Sequence, residues 1–385
     1  IDEQEKFINE LEEIANEEDI DLIIVAGDIY DTSNPSSAAE KLFFKSLKSL
    51  SNNGKRPILI IAGNHDSPDR LIAATPILQD MGIIIVGTLK TVIPVGDYNS
   101  YKIINSGEGF IEIEINNEKA IILLMPFPSE TRLKEVISYK MDEENIQKDY
   151  SYKVKKILHM LSENFREDTI NLIVGHFFVI GAETSESERN IQLGGSMAIS
   201  ADAFPKNAHY IAMGHLHRPQ QIKGTIEHAY YSGSPIQYSK SEANYAKLVY
   251  IVDLDNSGVK EVKKRFLKNY KPIEVWKFKN INDAIEQCKN NSDRECWVFL
   301  EIDSDKALEK TDMVNIRNIK KDILEINVNW IDKAIEEEVD IYKDRTIEEE
   351  FVEFYKKIKN IEPNQDTLDL FFDLIKSNDE KGEDI

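Results

Sequence analysis

The stretch PILIIAGNHDSPDR, residues 57–70, constrains the fold more than any other. Ile58, Leu59, Ile60 and Ile61 run through Ala62 and Gly63 straight into Asn64, His65 and Asp66. An apolar run this short, rich in β-branched residues, predicts a strand buried on both faces, which requires a sheet covered on both sides. The same grammar recurs in DLIIVAGD (21–28), AIILLMPFP (120–128), TINLIVGHF (169–177) and AHYIAMGHLHR (208–218). Between these runs the spacing predicts helices. One lies over residues 2–18, with Phe7, Leu11, Ile14 and Ala15 on one face. A second covers 36–50, opened by Pro35 and Ser36, and a third covers 67–82, interrupted by Pro76. Residues 142–166 read as a long helix, and after Gly224 the pattern turns to consecutive strands at 227–235 and 246–255. Early β-α-β alternation followed by strands predicts an α/β fold, a β-sandwich flanked by helices.

A chain of 385 residues exceeds one compact core, so two or three domains are expected. The character shifts near Lys271-Pro272. PIEVWKF (272–278), a helix around 281–290, CWVFLEI (296–302), a helix near 311–320 and ILEINVNWI (323–331) predict a small α+β domain. The division expected is 1–268, 269–342 for the small domain, and 343–385 for a helical tail. In the tail, Ile347, Phe351, Phe354, Tyr355 and Ile358 share one helical face. After EPNQ a second helix is expected, holding Leu368, Leu370, Phe371, Phe372, Leu374 and Ile375. Cys288 and Cys296 are too few for a disulfide framework and carry no zinc spacing, which predicts free thiols. No apolar run approaches the ~20 residues of a bilayer span, and no leader is evident. The expectation is therefore a cytoplasmic protein without membrane contact. The loop 181–196 is polar and Gly-rich and reads as a mobile surface segment.

The net charge of −22 argues, by itself, against a polyanionic partner. It is unevenly placed, however. Residues 331–385 carry 18 acidic against 8 basic side chains, whereas 260–271 carries six Lys/Arg against one Glu. Local patches, rather than the total, decide whether phosphates can bind.

The strand ends carry the chemistry. Asp28, then Asn64, His65 and Asp66, then His176, then His215 and His217 each follow an apolar run, with Gly before the first polar residue. Gly permits the backbone angles and close approach of a sharp exit from a sheet. In α/β sheets, ligands gather at the carboxyl ends of strands, so these tips can share one crevice. Imidazoles, carboxylates and an amide oxygen suit Mn²⁺, Fe²⁺ or Zn²⁺ better than Ca²⁺ or Mg²⁺. If the strand continues through GHLH, His215 and His217 point the same way and serve two adjacent ions, an arrangement suited to phosphoester hydrolysis. A lone Gly-Asp or Gly-His is a common turn; the conjunction of four tips is what points to a metal site. His159, His209 and His228 read as ordinary helix and strand residues.

GD-x-x-D, GNHD, GH and GHxH, in this order, resemble the calcineurin-like metallophosphoesterase superfamily. The surrounding AGDIYDTSNPSS, AGNHDSPDRL, DAFPKNAHYIAMGHLHRPQ and YYSGSPIQYS resemble its DNA-nuclease branch, whose members work with an SMC-like ATPase. The resemblance implies a metallophosphoesterase sandwich, a capping α+β domain and a partner-binding tail. It also implies two divalent ions, with Mn²⁺ expected. Asp28 would bridge them, Asn64, His176 and His215 would complete one, and His217 would bind the other. His65 matches the catalytic histidine, Asp66 would fix its tautomer, and Asp31, last in GD-x-x-D, would lie close to substrate. The implied activity is exonuclease (3′–5′) and single-strand endonuclease cleavage of double-strand ends and hairpins, in DNA repair, recombination and replication. The implied partners are DNA and the ATPase, with a homodimer inside a heterotetramer, and the strip 260–271 could contact phosphates. Two other functions fit the motifs: a small-molecule or nucleotide phosphodiesterase, and a silent DNA-tethering scaffold. The superfamily's opening Asp-x-His motif has no match before Asp28, and residue 1 is Ile. That leaves Asp28 and His217 for the second ion, and the expectation is a truncated chain that binds it weakly and cleaves poorly.

Overall fold

The computed structural model describes residues 1–98, 100–133, 150–188, 197–224, 226–304, 308–330, 347–359, 361–365 and 367–371. Its first sheet is parallel, with order β1-β2-β3: β1 (Ile23–Val25), β2 (Ile58–Ile61) and β3 (Ile83–Val86). The second sheet draws on β4 (Gly96–Asp97), β5 (Lys102–Gly107), β6 (Phe110–Ile115), β7 (Glu118–Met125) and β8 (Ile170–His176). After a separate short pair, β9 (Phe178–Val179) with β10 (Ala198–Ile199), it continues with β11 (Tyr210–Gly214), β12 (Gln220–Gln221) and β13 (Ala229–Tyr231). Its order is β12-β13-β11-β8-β7-β6-β5-β4. The centre, β7-β8-β11-β13, is parallel, and both flanks are antiparallel.

Strand periodicity explains the layering. In β2, Leu59 and Ile61 face the second sheet and pack with Ile103, Ile113, Ile122, Leu124 and Val174. Ile58 and Ile60 face the other way. They pack under α1 (Asp2–Glu17), α2 (Ser37–Leu50), α3 (Pro68–Ile72) and α4 (Thr75–Leu78), through Ala15, Leu47, Leu71 and Leu78. The outer face of the second sheet, Ile121, Leu123, Ile173 and Ile211, is covered by α5 (Tyr150–Leu161). The result is a four-layer helix–sheet–sheet–helix sandwich, the expected fold class. Ser36 caps α2, its hydroxyl accepting from the Ala39 N–H at 3.3 Å. Pro76 lies in the first turn of α4, where a missing N–H costs nothing, so the expected 67–82 helix is two short ones.

A hairpin, β14 (Leu248–Asp255) with β15 (Gly258–Phe266), sets Val252, Leu254, Val259 and Val262 against the inter-sheet core. The small unit has its own parallel sheet, β16 (Ile273–Phe278), β17 (Trp297–Ser304) and β18 (Ile323–Trp330). One face is covered by α6 (Ile281–Asn290) and α7 (Lys310–Ile319), around Cys288, Cys296, Val298, Leu300 and Ile316. Both cysteines are free and buried. The unit also meets the sandwich: Trp297 donates to Glu3 of α1 at 2.8 Å, and Lys240 pairs with Glu301. In the tail, α8 (Ile347–Lys359) stacks Phe351 on Phe371 at 3.8 Å, while Phe354 and Leu370 stay exposed. Residues 331–346 and 372–385 lie outside the described residues, as do 142–149 of the expected long helix.

Three expectations are corrected. Strands β4–β6 fall between residues 96 and 115, where no strand was expected, because turns at Gly109 and at Asn116-Asn117, all at positive φ, break the pattern into short pieces. The 208–218 strand stops at Gly214. Residues 181–188 are not a loose loop: Glu183 pairs with Arg218 and Gln220, and the Glu186 N–H donates to Ser241 at 2.9 Å; 189–196 lie outside the described residues.

Candidate metal centre

The ends of β1, β2, β8 and β11 lie side by side, and two glycines allow it. A Cβ on Gly63 would stand 2.2 Å from the Asp28 backbone nitrogen and carboxylate. A Cβ on Gly214 would stand 1.8 Å from the Ala26 carbonyl oxygen. Each position therefore requires Gly for approach rather than for angle. The unusual angles belong to other residues at the tips: Asp28 has φ +52° and His215 has φ +105°. Non-glycine residues adopt such angles where the surroundings hold them, often at functional sites.

These exits bring four polar atoms together. Asn64 Oδ1 lies 2.9 Å from His176 Nε2 and 3.0 Å from His215 Nδ1. Asp28 Oδ2 lies 3.2 Å from the same His176 Nε2. Ligand atoms of Asp28, His176 and His215 all fall within 4.8 Å of one another. His176 is fully buried, and its Nδ1 donates to the Ala26 carbonyl at 2.7 Å, so its Nε2 faces two oxygens. Asn64 Nδ2 is buried without a partner, the cost of turning Oδ1 inward.

The electrostatics agree. Burial opposes charge on Asp28, but His176, and less strongly His65, hold its carboxyl well below the usual carboxylate range. Burial likewise opposes charge on His176, and Asp28 overrides it and raises the imidazole. The proton that Asp28 would hold on His176 Nε2 marks where positive charge is wanted. Burial, with His176 adjoining, pushes His215 down to about 3, leaving it neutral and able to donate a lone pair. One carboxylate, one amide oxygen and two imidazoles fit a borderline divalent cation.

Other expected site residues fall around this cluster. The His65 N–H donates to Asp28 Oδ1 at 3.0 Å, and its ring Nδ1 lies 2.7 Å from the Asp31 carbonyl. Asp66 does not touch that ring, contrary to expectation. It accepts instead from the N–H groups of Gly63 (2.8 Å), Tyr30 (3.1 Å) and Ile29 (3.2 Å), tying the β1 and β2 exits together. Burial raises its carboxyl in spite of these donors. The main chain of Asp31 thus takes the tautomer-fixing position, while its carboxylate is exposed, with Oδ1 3.8 Å from His65 Nδ1.

His217 stands apart from the cluster. With β11 ending at Gly214 and His215 at positive φ, the period-two rule does not carry from 215 to 217. Its Nδ1 meets Ser187 Oγ at 2.7 Å and Glu242 Oε1 at 3.2 Å. Glu242 is fully buried and pairs with the buried Lys247. Burial opposes its charge, yet His217 and Lys247 hold the carboxyl at about 2. Ser187, Glu188, Glu242 and Lys247 escaped the sequence reading because none sits at a strand tip. The one available signal was an acid and a base five residues apart, just after YYSGSPIQYS.

The strip 260–271 is largely neutralised within the chain. Lys260 pairs with Asp255, Lys263 and Arg265 with Glu18, and Lys271 with Asp322. Among the described residues, no helix is long and apolar enough to cross a membrane.

A model of the calcineurin-like phosphoesterases matches residues 2–219. The chain is 35% identical over 383 residues to the SbcD subunit of nuclease SbcCD from Bacillus subtilis, covering 99% of this chain and 94% of that protein. It is 28% identical over 321 residues to the corresponding SbcCD nuclease subunit of Escherichia coli K12, covering 80% and 74%. The protein of the same name from Staphylococcus epidermidis is 27% identical over 275 residues, covering 71% of this chain and 66% of its own length.

Proposed function

The chain belongs to the calcineurin-like phosphoesterase family, and from that premise we propose that it is the metal-dependent nuclease subunit of an SbcCD-type complex. The observation that carries the reading is the convergence of Asp28 Oδ2, Asn64 Oδ1, His176 Nε2 and His215 Nδ1 at the strand ends. These four would hold one divalent cation, and Asp28 with His217 would take part in holding a second; Mn²⁺ suits the mixed nitrogen and oxygen donors. Bound cations supply neutralisation of the phosphodiester and of the charge developing on the attacking and leaving oxygens.

The protein's own groups supply position and a proton. Asp28 is fixed by the His65 N–H and by His176, so its carboxylate cannot swing away. His65, with Nδ1–H committed to the Asp31 carbonyl, keeps Nε2 for the substrate; as the imidazolium, it would stabilise or protonate the leaving oxygen through Nε2–H and be left as the neutral Nδ1–H imidazole. Asp66 holds the loop carrying His65 against the loop carrying Asp28. The exposed Asp31 carboxylate would lie beside the substrate.

The small α+β unit, bounded at about 269–342, would cap the site over DNA. The tail 343–385 would dock its exposed apolar residues on an SbcC-type SMC-like ATPase by a helix-in-groove contact. A homodimer within a heterotetramer, working in the cytoplasm on DNA ends and hairpins, completes the reading. The test is cleavage with Mn²⁺, using hairpin DNA and a chromogenic phosphodiester in parallel and the ATPase partner present. Cleavage of the hairpin is expected; turnover of the small ester with no cleavage of DNA would point to the small-molecule phosphodiesterase instead.

A further inference from the structure

Every polar atom of His217 except one ring nitrogen is tied down by residues outside the strand-tip motifs. Its N–H donates to Glu188 Oε1 at 2.7 Å. Its carbonyl accepts from Lys247 Nζ at 3.0 Å and from the Ser234 N–H at 3.1 Å. Its Nδ1 faces Ser187 Oγ and Glu242 Oε1, and the Ser187 hydroxyl itself donates to Glu242. A lone pair on Nδ1 would confront a buried carboxylate oxygen at 3.2 Å, so Nδ1 must carry the proton.

The buried pair behind the ring is fully satisfied. Lys247 commits its three N–H groups to Glu242, Ser234 (2.6 Å) and the His217 carbonyl. Glu242 accepts from Lys247 and Ser234 on one oxygen and from Ser187, Ser239 and His217 on the other. With all its donors committed, Lys247 is not a phosphate-binding lysine. A buried pair so completely used up acts on its neighbours' geometry, and the neighbour with a ring nitrogen left to work is His217.

We propose that Glu242, backed by Lys247 and Ser187, is a positioning residue that locks His217 in its Nδ1–H tautomer and frees Nε2 as the ligand atom for a divalent cation. The inference rests on the reading of His217 as a metal ligand. Carboxylates that hold a ligand histidine from behind commonly change metal affinity about 10–100-fold when removed.

The experiment reads tautomer and metal separately. Histidine-selective ¹⁵N spectra of the metal-free protein, with the His217 signal assigned through His217→Ala, should show the proton on Nδ1 in the wild type and in Glu242→Gln, which keeps an acceptor. The double variant Glu242→Leu/Lys247→Met, which removes the acceptor without stranding a charge, should show a mixture of tautomers. Titration with Mn²⁺ should find binding at least about tenfold weaker in that double variant. The same double change should have no further effect on a His217→Ala background, which a general structural role would not predict. A wild-type His217 protonated on Nε2, or a double variant with unaltered tautomer and Mn²⁺ affinity, overturns the proposal, and the first of these needs no variant to fold. Absence of Mn²⁺ binding by the wild type would instead refute the ligand reading, while the spectra still decide the tautomer.

Discussion

At the scale of single residues, the site is a matter of which atoms are already committed. His65 gives Nδ1 to a main-chain carbonyl, His176 gives Nδ1 to Ala26, and each is left with Nε2 for work. Replacing His65 by Ala should therefore lower the cleavage rate by about 10²–10⁴, the usual span for a general acid, without weakening Mn²⁺ or DNA binding. Parallel rate and binding measurements check this; equal losses in both would remove His65 from the chemistry. Gly214→Ala tests the packing of the strand exits, since its Cβ would lie 1.8 Å from the Ala26 oxygen, with His176 Nδ1 just beyond. A loss of about 3 kcal/mol in denaturant unfolding is expected, because the nearest atoms met are backbone and cannot yield. Residue identities at the tips were legible in the sequence: Asp28, Asn64, His176 and His215 follow apolar runs and do converge. The partners of the rings were not legible. Asp66 beside His65 looked like its tautomer-fixing group, but three backbone donors claim that carboxylate instead.

At the scale of elements, apolar runs marked the central strands because burial on both faces leaves no alternation to confuse. β2 is wholly buried and came directly from the sequence, as did the small domain's β-α-β-α-β series, in which Asn280 caps α6 by accepting from the Asp283 N–H. The antiparallel flank β4–β6 went unseen: its strands are short, partly exposed and broken by Gly and Asn turns. β11 ends earlier than the sequence pattern predicts for a related reason. A period-two reading assumes that extended backbone continues, and the positive φ at His215 ends it. Ile60 shows how much rests on one buried strand position. It is fully buried under the helices that carry Ala15 and Leu47, so Ile60→Ala should cost about 3–4 kcal/mol. A midpoint shift in urea with unchanged slope is the expected signature.

At the scale of the whole molecule, the segment 237–247 links three parts. Gln237 accepts from the Ile273 N–H at the start of the small domain, Lys240 pairs with Glu301 of β17, and Glu242 and Lys247 reach behind His217. The small α+β unit and the surroundings of His217 therefore share one short stretch of chain. The net charge of −22 does not describe this surface: the cationic strip is taken up largely by acids of the α1 end, the hairpin and the small domain. The proposed docking of the tail is tested at this scale. A chain ending near Lys343 should keep Mn²⁺ binding and the sandwich fold yet fail to co-purify with an SbcC-type ATPase; retained co-purification would relocate that interface.

The most direct test of the account is the anomalous scattering of a crystal soaked in Mn²⁺. A peak is expected in the space bounded by Asp28, Asn64, His176 and His215, and it should vanish in Asp28→Ala. A Mn²⁺ peak elsewhere, or these four side chains turned apart around no ion, would contradict it.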